Sequence, residues 1–166
     1  MIRFAVVSGK GGTGKTVVTG AIAQICIRSR VMVDCDVDAA NLELLLNPQI
    51  LERKDFYGME AACIDPGICT ACGICSDACR FDAISMVNGT FSVDPGRCEG
   101  CRVCRLVCPS GAVSMQPRIV GEIFYSQTSY GNLVHARLAP GAANSGLLVS
   151  DIKKMALSRN NDCDLM

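Results

Sequence analysis

Residues 69–79 read CTACGICSDAC, and residues 98–108 read CEGCRVCRLVC. Both stretches follow the spacing C-x2-C-x2-C-x3-C, so that Cys98 in the second corresponds to Cys69 in the first. The flanking sequence repeats at the same offset, because Asp65-Pro66-Gly67 precedes the first stretch as Asp94-Pro95-Gly96 precedes the second. Internal repetition of this kind indicates two copies of one structural unit.

The spacing of these eight cysteines is typical of bacterial ferredoxins, in which three thiolates of a run hold one [4Fe–4S] cluster and the fourth reaches the other cluster. Three cysteines at intervals of three residues curl a loop around one cluster. The fourth, four residues on, is expected at the start of a helix and points elsewhere. The pattern therefore predicts two ligand sets that cross between the copies. Cluster one is assigned to Cys69, Cys72, Cys75 and Cys108, and cluster two to Cys98, Cys101, Cys104 and Cys79.

Two other uses of cysteine compete with this interpretation. Zinc sites favour two separated pairs of Cys or His. Disulfides require an oxidising compartment, whereas this sequence begins without a signal peptide. We therefore expect iron–sulfur clusters in a cytoplasmic protein. Arg80 stands where the second copy has Pro109, which supplies no ligand, and Cys63 and Cys163 receive no assigned role.

The composition argues against two classes of partner. Sixteen Lys and Arg balance sixteen Asp and Glu, so the formal net charge is zero and gives no electrostatic case for nucleic acid. No apolar run approaches the ~20 residues of a membrane span. The single histidine, His135, lies in an alternating stretch, which predicts an exposed strand position.

A second motif opens the chain. Residues 2–7 predict a short apolar strand, residues 8–16 read SGKGGTGKT, and the periodicity from Val18 to Ile25 predicts a helix. A glycine-rich loop between a strand and a helix is the context of a phosphate-binding loop. The alternative is a glycine-rich loop that binds no ligand. Backbone N–H groups and the helix dipole would face the phosphates. We expect nucleotide contacts from Gly11, Gly12, Thr13 and Gly14, a β- and γ-phosphate contact from Lys15, and Mg²⁺ ligation by Thr16.

Three aspartates follow the next predicted strand, residues 31–33. They are Asp34, Asp36 and Asp38. Carboxylates at the carboxyl end of a parallel strand face the phosphate crevice of an α/β sheet. There they suit Mg²⁺-bound water and the attacking water. The alternative is a solvated acidic turn.

The loop from Lys10 to Thr16 resembles the deviant Walker A motif of the MinD/ParA/nitrogenase-iron-protein class of P-loop ATPases, whose hallmark is an extra early lysine. The resemblance implies that Lys10 crosses a nucleotide-dependent homodimer interface to the partner's nucleotide. It also implies catalytic roles for Lys15 and for Asp36, which lies in a segment similar to switch I and would orient water. Within the class, the chain is similar to members that carry a ferredoxin domain inserted after switch I. The implied cofactors are ATP with Mg²⁺ and two [4Fe–4S] clusters, and the implied partner is a redox protein.

The resemblance implies an α/β fold in which the parallel sheet of a P-loop NTPase carries an inserted α+β ferredoxin-like 2[4Fe–4S] module. We expect residues 1–58 and 119–166 to form the nucleotide-binding domain and residues 60–118 the ferredoxin domain. Residues 161–166 resemble the approach to the family's next parallel strand. In the family that strand carries the switch II segment, a D-x-P-P-G-like sequence, which has no counterpart in this sequence. The sheet is therefore expected to be truncated, as in a fragment, a frameshifted gene or a degenerate paralogue.

The leading hypothesis is an ATP-binding iron–sulfur protein that couples nucleotide state to electron transfer through two clusters. Weak or absent ATP hydrolysis is expected, because the switch II segment is lacking. A ferredoxin-type electron carrier with a vestigial phosphate loop is the first alternative. An iron–sulfur cluster carrier or assembly ATPase ranks third, because closed runs of four cysteines favour tight retention of a cluster.

Overall fold

The computed structural model describes residues 2–26, 29–142, 145–160 and 163–166. The chain divides into two compact units, the first being Met1–Phe56 with Gly121–Met166 and the second Tyr57–Val120. The helices are α1 (Lys15–Ile25), α2 (Leu42–Leu46), α3 (Ile74–Asp77), α4 (Val103–Val107) and α5 (Ser145–Arg159). The strands are β1 (Val31–Val33), β2 (Gln49–Tyr57), β3 (Ala61–Ile64), β4 (Ile84–Val87), β5 (Thr90–Val93), β6 (Val113–Gln116), β7 (Ile119–Thr128) and β8 (Gly131–Leu138).

The sheet of the first unit is mixed, which differs from the parallel sheet that the resemblance implies. Its strand order is β1-β8-β7-β2. β1 runs parallel to β8, whereas β7 and β8 are antiparallel with Thr128 opposite Gly131. The short connection explains the difference, because two residues can close a hairpin but cannot form the crossover of a dozen or more residues that parallel neighbours need.

The prediction of a strand over residues 2–7 is wrong for most of its length, because only Ile2 forms a β-bridge and residues 3–7 are not in a strand. Ile2 forms an isolated parallel bridge with Leu165, and the Phe4 amide donates to the carbonyl of Met166 at 2.8 Å. Phe4 and Val7 are exposed, so this segment lies at an uncovered edge. Arg30 forms a second parallel bridge to Leu165. Of the segment 161–166, residues 161–162 lie outside the described part of the chain.

α5 supplies much of the core of the first unit. Leu148, Ile152 and Ala156 are each 0% exposed and repeat at helical spacing, so one face of α5 is covered while Leu147 is 50% exposed. Full burial of a side chain such as Ile152 contributes about 1.5–3 kcal/mol. α5 packs against β8 and β1.

His135 is buried, so the expectation of an exposed position is wrong. It is 1% exposed, and its ring stacks on Phe124 with the centroids 4.9 Å apart. Nε2 lies 3.3 Å from the Ser126 hydroxyl, and Nδ1 lies 3.1 Å from Oε2 of Glu43 without hydrogen-bonding alignment. The alternation failed as a guide because β8 is an inner strand, and four consecutive residues, 133–136, are buried.

The second unit is built from the internal repeat. Its elements run β3-α3-β4 in the first copy and β5-α4-β6 in the second, and each element begins at the position equivalent to the start of its counterpart. The strands pair between copies, β3 with β6 and β4 with β5, each pair antiparallel. Each two-stranded sheet therefore takes one strand from each copy.

Cysteines make up a large part of the core of the second unit. Cys75 and Cys104 are buried among small apolar side chains such as Ala62 and Ala112, and four further cysteines pack around them. So small an apolar core rarely stabilises a unit of this size without a metal or another staple. Among the described residues, no helix has both the length and the apolar character needed to cross a membrane.

Candidate metal centre

The first of two cradles in the second unit contains every cysteine assigned to cluster one. Three of these cysteines come from the first copy of the repeat and the fourth comes from the second copy. The cradle is lined by Cys69, Cys72, Cys75, Cys108, Ile64, Thr70, Gly73, Phe91, Pro109, Ser110, Ala112 and Val113. Apolar groups therefore surround a set of four thiols.

The second cradle contains every cysteine assigned to cluster two, in the mirrored arrangement. Three come from the second copy and one from the first. The cradle is lined by Cys79, Cys98, Cys101, Cys104, Ala62, Ala78, Phe81, Ala83, Ile84, Val93, Glu99, Arg102, Val103 and Met115. The exchange of strands between copies explains why the fourth thiol of each set comes from the other copy.

The repeated Asp-Pro-Gly sequence shapes the entry to each cysteine loop. The Asp65 carbonyl accepts a hydrogen bond from the Cys69 amide at 3.0 Å, and its Oδ1 accepts one from the Gly67 amide at 2.8 Å. Asp94 makes the same two contacts in the second copy, at 3.1 Å with the Cys98 amide and at 2.8 Å with the Gly96 amide. An aspartate that binds the amide two residues on is a turn-forming feature.

The helices start before the third cysteine of each run, not at the fourth. Gly73, with φ +83°, precedes α3, and Arg102, with φ +66°, precedes α4. The third cysteine consequently falls in the first turn of each helix. Cys79 follows the end of α3 and Cys108 directly follows α4. The expected helix start at the fourth cysteine is therefore corrected to a helix end.

Hydrogen bonds favour the thiolate form of two cradle-one cysteines. The backbone of Ala71 and then the backbone of Phe91 lower the pKa of the Cys69 thiol. The Ser110 hydroxyl lies 3.6 Å from Sγ of Cys108 and is the main cause that lowers the pKa of that thiol. A larger fraction of both thiols is therefore ionised, and the thiolate is the form that binds iron.

Burial has the opposite effect on the third cysteine of each run. It raises the pKa of Cys75 and of Cys104, and in each case the backbone N–H groups of the helix start oppose it. Binding of a metal would displace the protons from these thiols, because metal ligation is coupled to deprotonation. The Cys98 thiol in the second cradle accepts a hydrogen bond from the Ala62 amide at 3.5 Å.

The chemistry of these groups fits iron–sulfur clusters. All twelve cysteines are free thiols, including the four in each cradle. The Thr90 hydroxyl is buried and has no hydrogen-bond partner within the described residues, although it lies beside Cys69. A cluster sulfur is an acceptor of the kind this hydroxyl lacks. Across the residues described, no three His, Cys, Asp or Glu side chains converge as a single metal ion would require.

The first unit has a cleft of about 720 Å³. It brings together Lys15, Thr16, Asp34 and Asp36 from the predicted nucleotide site, and Lys153 of α5 joins them. The remaining predicted residues do not line the cleft. They are Lys10, Gly11, Gly12, Thr13, Gly14 and Asp38.

The glycine-rich loop has the backbone of a tight turn before α1. Gly12 and Gly14 have φ of +73° and +88°, in the left-handed region that glycine tolerates best. Nζ of Lys15 donates to the Ser8 hydroxyl at 3.2 Å, so this lysine folds back over the loop. Asp34 accepts hydrogen bonds at both oxygens, from the Asp36 amide at 3.0 Å and the Leu42 amide at 3.1 Å. Its carboxylate thus holds the start of α2.

Sequence reasoning missed the residues around the thiols. Thr90 and Ser110 contact the cysteines of cradle one, and Phe91 closes it. A signal was present in the sequence, because Ser110 stands where the first copy has Phe81 and so places a hydroxyl after the fourth cysteine in one copy only. Lys153 was missed because nothing in its local sequence relates it to the cleft.

Comparison with known proteins identifies the second unit. The family described as 4Fe-4S dicluster domain matches residues 68–112, a range that includes all eight cradle cysteines and excludes the glycine-rich loop. The chain is also 36% identical over 163 residues to an uncharacterized protein of Methanocaldococcus jannaschii. That alignment covers 94% of this chain and 55% of the relative, so the chain spans about half the length of the curated relative it matches. The chain therefore contains, at residues 68–112, an iron–sulfur domain of the ferredoxin type.

Proposed function

We propose that this protein transfers electrons through two [4Fe–4S] clusters and that nucleotide bound in the first unit regulates the transfer. The observation that carries the proposal is the pair of cradles, each lined by four free thiols in the crossed arrangement. When bound, such clusters accept and release single electrons at potentials set by their surroundings. Cluster one would be held by Cys69, Cys72, Cys75 and Cys108, and cluster two by Cys98, Cys101, Cys104 and Cys79.

The side chains of each cradle would exclude water and hold the thiolates in place. Phe91 and Val113 cover cradle one, whereas Phe81 and Met115 cover cradle two. The amides and hydroxyls around Cys69 and Cys108 would stabilise negative charge on sulfur. Burial of Cys75 and Cys104 fixes one corner of each set inside the unit.

Nucleotide coupling is the finer part of the proposal, and the cleft of the first unit supports it. Lys15, Thr16 and Asp36 line one cavity, large enough for a ligand of nucleotide size. We assign Lys15 to the phosphates, Thr16 to Mg²⁺ and Asp36 to the water near the γ-phosphate. The loop amides of residues 11–14, together with Asp34 and Asp38, would complete the ATP site.

Two further parts of this proposal concern assembly. Lys10 lies in the exposed loop outside the cleft lining, where a lysine can reach a second protein. We assign it to a nucleotide-dependent homodimer interface. The electrons would pass to or from a separate redox protein.

One observation favours the simpler alternative, an electron carrier that binds no nucleotide. Both oxygens of Asp34 accept backbone amides, so this carboxylate already serves the fold. An aspartate occupied in this way has less capacity to hold Mg²⁺-bound water. The alternative keeps the clusters and the electron transfer and removes the ATP site.

Anaerobic reconstitution tests the iron–sulfur function. The purified chain is expected to hold about eight irons and about eight sulfides and to give cluster signals in EPR after reduction. Cys72→Ser should lose cluster one, whereas Ser92→Ala, on the exposed face of β5, should lose none. Colourless protein that holds zinc in place of iron would overturn the function.

Equilibrium dialysis with labelled ATP and Mg²⁺ tests the coupling. Lys15→Ala should abolish ATP retention and leave the iron content unchanged. Lys54→Ala is the matched control, because Lys54 is exposed on β2 and does not line the cleft. Absence of ATP retention by the unmodified chain would leave the simple electron carrier as the function, and equal retention by both proteins would refute the role assigned to Lys15.

A further inference from the structure

The internal repeat allows the two cradles to be compared position by position. Each cradle has four thiols at equivalent positions. Each also has one equivalent backbone hydrogen bond: the Ala62 amide donates to Cys98 in cradle two, and the backbone of its counterpart, Phe91, does the same for Cys69 in cradle one. The other polar lining groups differ. The pairs that differ, cradle one first, are Ser110 and Phe81, Thr70 and Glu99, and Gly73 and Arg102.

Hydroxyl groups occur beside the thiols of cradle one. Oγ of Ser110 lies 3.6 Å from Sγ of Cys108, whereas the side chain of Phe81, in the equivalent place after Cys79, has no hydrogen-bond donor. The buried Thr90 hydroxyl beside Cys69 corresponds to Ala61 in the first copy, whose side chain also has no donor. Cradle one therefore offers two side-chain donors that cradle two lacks at the matching positions.

Charge distinguishes cradle two. Glu99 and Arg102 line it, where cradle one has Thr70 and Gly73. The guanidinium of Arg102 lies 2.7 Å from the carboxylate of Glu60, so its positive charge is largely compensated. Glu99 leaves a negative charge at the rim. Its effect is screened because the side chain is exposed.

The extra hydroxyls of cradle one and the Glu99 carboxylate of cradle two affect the difference in reduction potential in the same direction. Adding an electron to a cluster increases its negative charge, so hydrogen bonds to the ligand sulfurs raise the reduction potential and a nearby carboxylate lowers it. We propose that Ser110 and Thr90 give cluster one the higher potential and that Glu99 helps to keep the potential of cluster two lower. This inference rests on the proposed iron–sulfur function.

The consequence is a preferred direction within the unit. An electron delivered at cradle two by a one-electron donor, which would thereby be oxidised, would pass to cradle one. The Ser110 and Thr90 hydroxyls would then stabilise the added charge, and the site at cradle two would be oxidised again. The outgoing redox protein would then dock nearest cradle one.

An anaerobic redox titration of the reconstituted full chain tests this proposal, with dithionite as reductant and EPR as the readout. The unmodified protein should show two separate one-electron steps. Ser110→Ala should move only the higher step to more negative potential. Loss of one hydrogen bond to sulfur corresponds to about a tenfold smaller equilibrium constant for reduction, or ~59 mV for a one-electron couple.

Two controls separate the hydrogen bond from a general effect of substitution. Ser110→Thr keeps a hydroxyl and should restore the higher step. Ser92→Ala removes a hydroxyl from the exposed face of β5 and should move neither step. A shift of the lower step alone, of both steps equally, or of neither step in Ser110→Ala would overturn the assignment.

Glu99→Gln supplies an independent test if Ser110→Ala does not assemble clusters, because Glu99 is exposed and its replacement changes charge and not shape. The lower step should move to more positive potential. An unchanged lower step, or a shift of the higher step, would overturn the inference. Protein with about eight irons and two coincident steps refutes only this inference, whereas protein without iron refutes the proposed function.

Discussion

Gly100→Ala should destabilise cradle two through one specific clash. Gly100 lies between Cys98 and Cys101 with φ +66°, and a Cβ there would sit 2.4 Å from the carbonyl oxygen of Glu60 and 3.2 Å from Cβ of Met59. The left-handed backbone costs about 1–2 kcal/mol for a residue with a side chain. Overpacking against a backbone that must move adds about 1–3 kcal/mol. We expect a total loss of about 2–5 kcal/mol from the second unit.

The repeat provides the control for this substitution. Ala71 occupies the equivalent place in the first copy with φ +54°, so the left-handed conformation alone is compatible with alanine here. Ala71→Gly relieves the left-handed cost of about 1–2 kcal/mol but adds about 0.4–1 kcal/mol of unfolded-state entropy, so it should leave the stability unchanged or raise it by about 1 kcal/mol. The assay is anaerobic guanidinium unfolding of the cluster-loaded chain, followed by cluster absorbance. An unchanged midpoint in Gly100→Ala would show that the loop moves freely and would refute the packing argument.

Three other perturbations have defined outcomes. Ile152→Ala should lower the unfolding free energy of the first unit by about 2–5 kcal/mol, because removal of a 0% exposed side chain leaves a cavity. Leu147→Ala, at a 50% exposed position, should change it little. Equal losses of the two variants in thermal or denaturant unfolding would contradict the assigned buried face of α5. Burial lowers the pKa of His135 below its usual 6.5, opposed by Glu43. The unfolded chain then binds the proton more readily, so stability should be full above about pH 6.5 and fall as the pH decreases toward the folded pKa; the same pH slope in His135→Gln would exclude this residue as the cause. Removing iron with a chelator should expose residues 57–120 to limited proteolysis and leave the first unit protected, since cysteines form much of the core of the second unit; identical digestion patterns before and after chelation would argue against that core.

Much of the second unit was predictable because its information is local. The constant offset between the copies reveals the repeat, and the structure gathers the cysteines into the two sets that the spacing predicts. Their ligation of iron stays a prediction. The apolar face of α5 was also predictable, since Leu148, Ile152 and Ala156 recur at helical spacing.

The first unit was harder to predict because its properties depend on non-local pairing. The alternation around His135 suggests one exposed face, yet β8 is an inner strand and both faces are covered. The turn between Thr128 and Gly131 makes an antiparallel hairpin where the resemblance implies parallel strands. Asp34 illustrates a third kind of error, because no sequence pattern shows that its carboxylate holds the Leu42 amide.

The exchange of strands and thiols between the two copies affects synthesis on the ribosome. With the proposed ligands, the first three thiols of cluster one are present once Cys75 is translated, whereas the fourth, Cys108, comes last of all eight. At typical elongation rates this interval lasts on the order of a few seconds. During that time the nascent chain presents an incomplete set of soft ligands to any metal in its surroundings. With these ligands, delivery of iron and sulfide would have to wait for the second copy, and a half-length product would retain neither cluster.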